Sequence, residues 1–182
     1  IEKGNKYSCL QDKFGAALVG PAGNLDVAKF LKVSQARFVK DGLLLEEKFD
    51  YLNIDLIRRE YQGYNFKKII FCEGFQLINN PYFNYLPITP AKGEVLTIKI
   101  PSLESIDRII SKGIWVMPLK AHLYLVGATF NRTELDEVVT DEGVSFLKDR
   151  LDEVLDVEYE IINTSAGVRP TTKDRKPDGD WL

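Results

Sequence analysis

The sequence predicts an α+β fold in which a mostly antiparallel sheet is covered on one face by helices. Three observations favour it. Apolar and polar residues alternate from 93 to 100, two apolar runs are joined by the short connection Lys120-Ala121, and helical spacing follows Asn24 and Thr140. The chain has 182 residues, of which 45% are hydrophobic. That length suits one domain, or one large piece of a bigger protein, with a sizeable core.

The first third of the chain is predicted to contain one helix and three strands. The helix begins after Asn24, its predicted N-cap, and ends at Asp41-Gly42. Strands are predicted at 43–49, 53–60 and 67–72, the last two separated by the turn signal Gln-Gly-Tyr-Asn at 62–65. Cys72 is predicted to be a small buried hydrophobe in the last of these strands.

From residue 93 onward the pattern becomes clearly β. One face of the strand 93–100 carries Val95, Thr97 and Lys99, and the other carries Leu96, Ile98 and Ile100. The runs 114–119 and 122–129 are predicted to form an antiparallel hairpin.

A second helix and a last strand complete the predicted elements. Thr140 is the predicted N-cap, and an apolar stripe follows it: Phe146, Leu147, Leu151, Val154 and Leu155. A strand starting at 159 then leads into Arg169.

The charge and the cysteine content indicate which kinds of partner the chain can bind and in which cellular compartment it is located. The net charge is −3, and the segment 134–160 carries eleven acids against only Lys148 and Arg150. Such a segment repels phosphates, so no nucleic-acid partner is expected. No apolar run is long enough to span a bilayer, and two cysteines are too few for a disulfide framework. These features predict a cytoplasmic protein. They do not predict its oligomeric state.

The segment Ala-Gly-Val-Arg-Pro at 166–170 carries the main candidate binding residue. Pro170 restricts the backbone of Arg169, and Gly167 permits a close approach or an unusual backbone conformation. An arginine held at a strand end presents a planar fork to a carboxylate. The alternative is an ordinary turn whose arginine pairs with Asp174 or Glu160.

Two further residues are candidates for a ligand pocket. Lys92 can place a cation beside a ligand, or it can be a solvated lysine at the start of a strand. Tyr124 can contribute a hydroxyl to a pocket, or it can serve packing alone. No catalytic residue and no metal site is predicted. The glycine-rich segment 15–23 fails as a phosphate loop, because Pro21 stands where a lysine would be needed.

Five segments occur in the order found in one enzyme family. They are Lys-Lys-Ile-Ile-Phe-Cys-Glu-Gly-Phe at 67–75, Leu-Pro-Ile-Thr-Pro-Ala-Lys-Gly-Glu-Val-Leu at 86–96, Trp-Val-Met-Pro-Leu at 115–119, Val-Gly-Ala-Thr-Phe at 126–130, and Ala-Gly-Val-Arg-Pro at 166–170, with Asp174. Together they resemble the D-amino-acid oxidase-like FAD-dependent oxidoreductases, a group that includes glycine and sarcosine oxidases. The resemblance runs from about residue 14 to 177.

The resemblance implies the substrate-binding domain of such an enzyme, over residues 14–182, after a lead-in of residues 1–13. The family's Gly-x-Gly-x-x-Gly segment for FAD is absent from the sequence, so the chain alone is expected to be inactive and not to retain FAD. Members oxidise the C–N bond of an amine or amino acid by hydride transfer to the flavin. The resemblance implies that Arg169 clamps the substrate carboxylate, that Tyr124 lines the pocket and that Gly74 contacts the flavin.

Two other functions stay open at this point. One is a non-catalytic ligand- or partner-binding α+β module that has kept the sheet and lost the chemistry. The other is a structural domain whose acidic helix docks a partner. Carboxylate binding that depends on Arg169 separates a ligand-binding protein from a purely structural one.

Overall fold

The computed structural model describes residues 7–13, 15–21, 23–101 and 106–172. These residues belong to two compact units. One contains Ala17–Ile70, and the other contains the described residues before 17 together with those from Phe71 onward. The division into a lead-in of residues 1–13 and a substrate-binding domain of residues 14–182 stays a prediction.

The first unit contains helix α1, Val27–Lys40. Its N-cap is Asp26, two residues later than the predicted Asn24, and the Asp26 carboxylate accepts a hydrogen bond from the backbone N–H of Lys29. The helix ends at Asp41, as predicted. None of its residues is buried, so α1 contributes no core to this unit.

Three very short strands form the sheet of the first unit: β1 (Ile54–Asp55), β2 (Glu60–Tyr61) and β3 (Tyr64–Asn65). They pair in sequence order as an antiparallel meander. The turn predicted over 62–65 is confirmed for Gln62-Gly63, whereas its second half forms β3. The prediction of one strand over 53–60 is wrong, because residues 56–59 form a turn between β1 and β2. The Asp55 carboxylate accepts hydrogen bonds from the backbone N–H groups of Ile57 and Arg58, which folds the chain into a turn.

The predicted strands at 43–49 and 67–72 are also wrong, since neither segment forms a strand. A strand needs a neighbour to receive its backbone hydrogen bonds, and no described strand pairs with either segment. Cys72 is accordingly exposed and not buried, whereas Cys9 is buried. Burial raises the pKa of the Cys9 thiol.

The second unit contains a five-stranded antiparallel sheet, as the sequence predicted. Its strands follow the 3-10 helix Gly74–Asn79 along the chain. They are β4 (Ala91–Lys99), β5 (Ile110–Lys112), β6 (Ile114–Pro118), β7 (Leu123–Gly127) and β8 (Glu160–Arg169), in the spatial order β5-β6-β7-β4-β8. The predicted hairpin is confirmed, because β6 pairs antiparallel with β7.

Helix α2, Asp141–Asp152, packs against β4, β6 and β7. Its predicted N-cap is confirmed, since the Thr140 hydroxyl oxygen accepts a hydrogen bond from the backbone N–H of Gly143. Four of the five predicted stripe residues are buried: Leu147, Leu151, Val154 and Leu155. The fifth, Phe146, is exposed and carries the Arg150 guanidinium over its ring. No described helix is both long and apolar enough to cross a membrane.

The register of the strands divides the side chains between two faces of the sheet. Successive residues of a strand alternate between faces, and directly paired residues share a face. The helix face, against which α2 packs, carries the buried residues Leu96, Ile98, Val116, Tyr124 and Val126. The opposite face, called here the Arg169 face, carries Gly93, Val95, Trp115, Met117, Leu125, Gly127 and Arg169.

Candidate functional site

Arg169 stands at the end of β8, where the sequence predicted it. It pairs with Ala91 of β4, which assigns it to the same face as Gly93 and Val95. The apolar side chains of that face are only partly buried, and Arg169 itself is exposed. An exposed cation therefore borders a half-buried apolar surface.

The Arg169 guanidinium lies against the backbone of the neighbouring strand. An ideal Cβ atom at Gly93 would lie 2.5 Å from Nη2 of Arg169. Nη2 donates a hydrogen bond to the backbone carbonyl of Thr129 at 2.9 Å, and the guanidinium carbon lies 5.5 Å from the centre of the Phe130 ring. These contacts hold the group in place. Among the described residues they engage one of its five N–H donors, so the other four have no partner in that part of the chain.

The alternative of an ordinary ion pair finds no support among the described residues. No described carboxylate lies within ion-pair distance of Arg169. Glu160 stands at the opposite end of β8, where it pairs with Lys99. Asp174, the other predicted partner, lies outside the described residues.

Gly93, and not Gly167, is the glycine that permits the close approach. The two glycines face each other across β4 and β8. A Cβ atom at Gly167 would have nothing within 4 Å, whereas one at Gly93 would meet the guanidinium. The prediction that Gly167 permits a close approach is therefore wrong. The Arg169 side chain lies over Gly93 on the adjacent strand β4, and not over Gly167 on its own strand β8.

The segment Thr129 to Asn131, which provides the contacts of Arg169, is held beside the start of β4. The backbone N–H of Lys92 donates to the carbonyl of Asn131 at 2.7 Å, and the N–H of Asn131 donates back at 3.0 Å. The N–H of Thr129 donates to the carbonyl of Glu94 at 3.2 Å. The position of Phe130 is thus set by backbone hydrogen bonds on both sides of it.

Lys92 lies on the helix face, and the structure does not bring it to Arg169. Its side chain is 2% exposed, and Nζ donates to Oδ1 of Asp136 at 2.6 Å. Lys92 is therefore neither solvated, as in the alternative prediction, nor part of the Arg169 face. One step along the strand separates it from Gly93, and that step reverses the face.

The Lys92–Asp136 ion pair perturbs both groups. The hydrogen bond from Lys92 is the main cause that holds the pKa of the Asp136 carboxyl below its usual value, and the N–H of Val138 adds to it. The same hydrogen bond raises the pKa of Lys92 against the opposing effect of burial. The pair anchors the loop that follows Asn131.

Glu94 is a buried carboxylate that connects β4 to the start of α2. Its Oε1 accepts hydrogen bonds from the backbone N–H of Thr140 at 2.7 Å and from the Thr140 hydroxyl at 2.9 Å. Its Oε2 accepts from the Thr129 hydroxyl at 3.0 Å. A Cβ atom at Gly143 would lie 1.7 Å from Oε2, so only glycine leaves room for the carboxylate there.

Tyr124 is also on the helix face, in the hydrophobic core of the second unit. It is 1% exposed, and it pairs across the sheet with Ile98. Its hydroxyl oxygen accepts a hydrogen bond from the backbone N–H of Ile106 at 3.3 Å. The structure therefore gives Tyr124 the packing role that was the alternative prediction, and it separates Tyr124 from Arg169.

Gly74, the residue predicted to contact a flavin, begins the 3-10 helix Gly74–Asn79. Its φ of +58° favours glycine, and nothing lies within 4 Å of the place of its Cβ. The preceding Glu73 accepts a hydrogen bond from the buried side chain of Asn80 at 2.7 Å. The space beside the Gly74 α-carbon, where a side chain would begin, is thus open among the described residues.

The described helices do not fit the pyrophosphate of a dinucleotide. Such a group binds where a glycine loop leaves the N-terminal N–H groups of a helix unoccupied. In α1 the Asp26 carboxylate occupies that place, and in α2 the first turn carries Asp141 and Glu142. Both ends are therefore negative where a phosphate needs positive potential. Among the described residues there is also no group of His, Cys, Asp and Glu that could hold a metal ion.

Four residues of this site were not predicted from the sequence: Gly93, Thr129, Phe130 and Arg132. Arg132 is exposed, and its guanidinium carbon lies 5.2 Å from the centre of the Phe130 ring. Ala91 of β4 pairs with Arg169 of β8, and this register places Gly93 on the same face of the sheet as Arg169. That register depends on contacts between strands that are far apart in the sequence.

Comparison with known proteins gives a family and a set of similar structures. The model of the family described as DAO, FAD dependent oxidoreductase, matches residues 4–181. The glycine oxidase of Geobacillus kaustophilus is similar in structure, with a TM-score of 0.53 and 25% sequence identity over 58% of this chain and 30% of that chain. For the glycine oxidase of Bacillus cereus ATCC 14579 the TM-score is 0.41 and the identity 24%, over 50% of this chain and 25% of that chain.

The chain thus spans less than a third of the length of these two structures. The family match, in contrast, covers nearly all of the present chain, including the Arg169 face. The chain belongs to the DAO family of FAD-dependent oxidoreductases.

Proposed function

We propose that this chain is the substrate-domain portion of an FAD-dependent oxidoreductase that oxidises the C–N bond of an amine or amino acid. In such an enzyme a bound flavin would supply the hydride-accepting chemistry, and the protein would position the substrate. The ends of the described helices do not fit the pyrophosphate of FAD, so the proposal concerns mainly the substrate, and the contact of Gly74 with the flavin stays a prediction. The substrate is a small molecule with a carboxylate, and the predicted cytoplasmic location stays a prediction.

One observation carries the proposal: Arg169 is fixed in position and yet keeps most of its N–H donors. The contact with Thr129 uses Nη2, and no described carboxylate competes for the rest. A substrate carboxylate therefore finds a planar fork already oriented. Less conformational entropy is lost on binding than with a freely rotating side chain.

The remainder of the Arg169 face complements the clamp. Trp115, Met117 and Leu125 are partly buried on this face. The Trp115 ring lies close to Gly127, where a Cβ atom would be 2.7 Å from Cζ2. In the proposal the arginine binds the carboxylate. Val95 and Trp115, which the register places nearest to Gly93 among the apolar positions of this face, exclude water from the adjacent carbon.

The test measures the affinity of the chain for propionate by NMR or calorimetric titration. Arg169→Ala is expected to weaken binding roughly ten- to hundredfold, because it removes a charge-assisted pair of hydrogen bonds. Arg169→Lys should recover only part of the loss, since an ammonium group lacks the planar fork. Arg150→Ala, which removes another arginine stacked on a phenylalanine, is the matched control. Equal affinity in the wild type and Arg169→Ala would refute the clamp.

A further inference from the structure

Two arginines share the Phe130 ring. The guanidinium carbons of Arg169 and Arg132 both lie within 5.5 Å of the ring centre. Each is attracted by the electron density of the ring, but the two positive charges repel each other. An anion that binds between or beside them relieves this repulsion.

The acidic residues nearest to Arg132 in the sequence are engaged elsewhere. Asp136 accepts the hydrogen bond of Lys92, and Glu134 lies 4.0 Å from the same ammonium group. Glu134 also accepts a hydrogen bond from the Asn131 side chain at 3.3 Å. Within the described part of the chain, Arg132 therefore has no ion pair, although the segment that follows it is strongly acidic.

The backbone at Arg132 is held close to Arg169. Asn131 makes two backbone hydrogen bonds to Lys92, and its side-chain oxygen accepts hydrogen bonds from Thr133, both from the backbone N–H and from the hydroxyl. These bonds fix both sides of Arg132 next to the start of β4. Its guanidinium is then available at the border of the Arg169 face without large ordering cost.

We propose that Arg132 binds a second anionic group of the substrate, so that the preferred ligand is a dicarboxylic amino acid or amine. The inference rests on the proposed function, because Arg169 takes the first carboxylate. A single carboxylate is satisfied by one guanidinium fork. The guanidinium of Arg132 has no ion pair within the described ranges and lies over the same aromatic ring, which suits a second carboxylate a few carbon atoms away.

The test compares succinate and glutarate with propionate and butyrate in titrations of the whole chain at constant ionic strength. The wild type is expected to prefer the dicarboxylates. Arg132→Ala should weaken dicarboxylate binding about three- to tenfold and monocarboxylate binding by a clearly smaller factor. Arg132→Lys should restore part of the preference. Arg150→Ala, the exposed arginine stacked on Phe146 in α2, should change neither.

The outcomes separate this inference from the proposed function. If Arg169→Ala weakens both ligand classes while Arg132→Ala weakens dicarboxylate binding more than monocarboxylate binding, both proposals are supported. An equal effect of Arg132→Ala on the two classes, or no effect on either, overturns the second subsite. If Arg169→Ala leaves propionate binding intact, the clamp itself fails, whatever Arg132→Ala does.

Discussion

The guanidinium group of Arg169 rests on Gly93, where a Cβ atom would lie 2.5 Å from Nη2. Glycine therefore leaves the space in which the arginine lies flat against the sheet. The contact joins two strands, β4 and β8, whose pairing brings together residues that are far apart in the sequence. It is the relationship on which the proposed carboxylate clamp depends.

Gly93→Ala tests this relationship without removing the arginine. The added methyl group displaces the guanidinium, which is the far end of a flexible side chain, so the free energy of unfolding should change by less than about 1 kcal/mol. The affinity for propionate should fall about three- to tenfold, because the fork loses its orientation. Gly167→Ala is the matched control, since nothing lies within 4 Å of the place of its Cβ. Similar affinities in the two variants would argue against a role for the contact.

Glu94→Gln is expected to destabilise the second unit by about 1–3 kcal/mol. The carboxylate accepts two hydrogen bonds from Thr140 at Oε1 and one from the Thr129 hydroxyl at Oε2. The carbonyl oxygen of glutamine can keep the first two, but its NH₂ group cannot accept the third. Denaturant unfolding measures the change. Glu142→Gln, which removes an exposed charge from the first turn of α2, should cost much less. If the two variants are equally stable, the buried network does not hold the helix.

The Lys92–Asp136 pair predicts a dependence of stability on pH. The pKa of Asp136 is lowered in the folded protein, so its contribution is present above the unfolded value of about 3.9 and is lost as the pH falls through the lower folded value. The pKa of Lys92 is raised, so its contribution is present below about 10.4 and is lost as the pH rises through the higher folded value. The coupling between the two groups should therefore be constant near neutrality and decline at both extremes.

A double-mutant cycle with Lys92→Met and Asp136→Asn measures this coupling from free energies of unfolding at pH 7 and pH 3. The expected result is a favourable coupling at pH 7 that is smaller at pH 3. A coupling that grows on acidification would contradict the assignment. Since Lys92 also anchors the segment beside Arg169, the same variants should weaken propionate binding at pH 7.

The chain is expected not to retain FAD. Asp26 occupies the N-terminus of α1, and Asp141 and Glu142 lie in the first turn of α2, so neither described helix offers a phosphate site. After incubation with FAD and gel filtration, the visible absorption spectrum of the protein fraction should show no flavin band. A stoichiometric flavin band would mean that the chain builds a cofactor site, and it should then be assayed directly as an oxidase.

The sequence predicted those parts of the fold that depend on local patterns. Alternation identified β4, the short polar connection identified the hairpin of β6 and β7, and Thr140 identified the start of α2. The segments 43–49 and 67–72 have strand-like composition but lack a paired neighbour, and composition cannot supply one.

The same distinction applies to the candidate site. Arg169 was found because its flanking glycine and proline are local signals. Lys92 and Tyr124 lie on the helix face. The strand register and the side of the sheet that α2 covers determine this placement, and neither can be read from the residues around Lys92 or Tyr124. Phe130 and Arg132 have no local signal, and only the pairing of Asn131 with Lys92 brings them to the site.

The most direct test of the central claim observes Arg169 itself. In a chain with ¹⁵N-labelled arginine, the Nε–Hε signal of Arg169 is assigned by its loss in Arg169→Lys. Addition of propionate is predicted to shift this signal in a saturable manner while the signal of Arg150 stays in place. An Arg169 signal that does not move at saturating propionate, or that moves no more than that of Arg150, would contradict the carboxylate clamp.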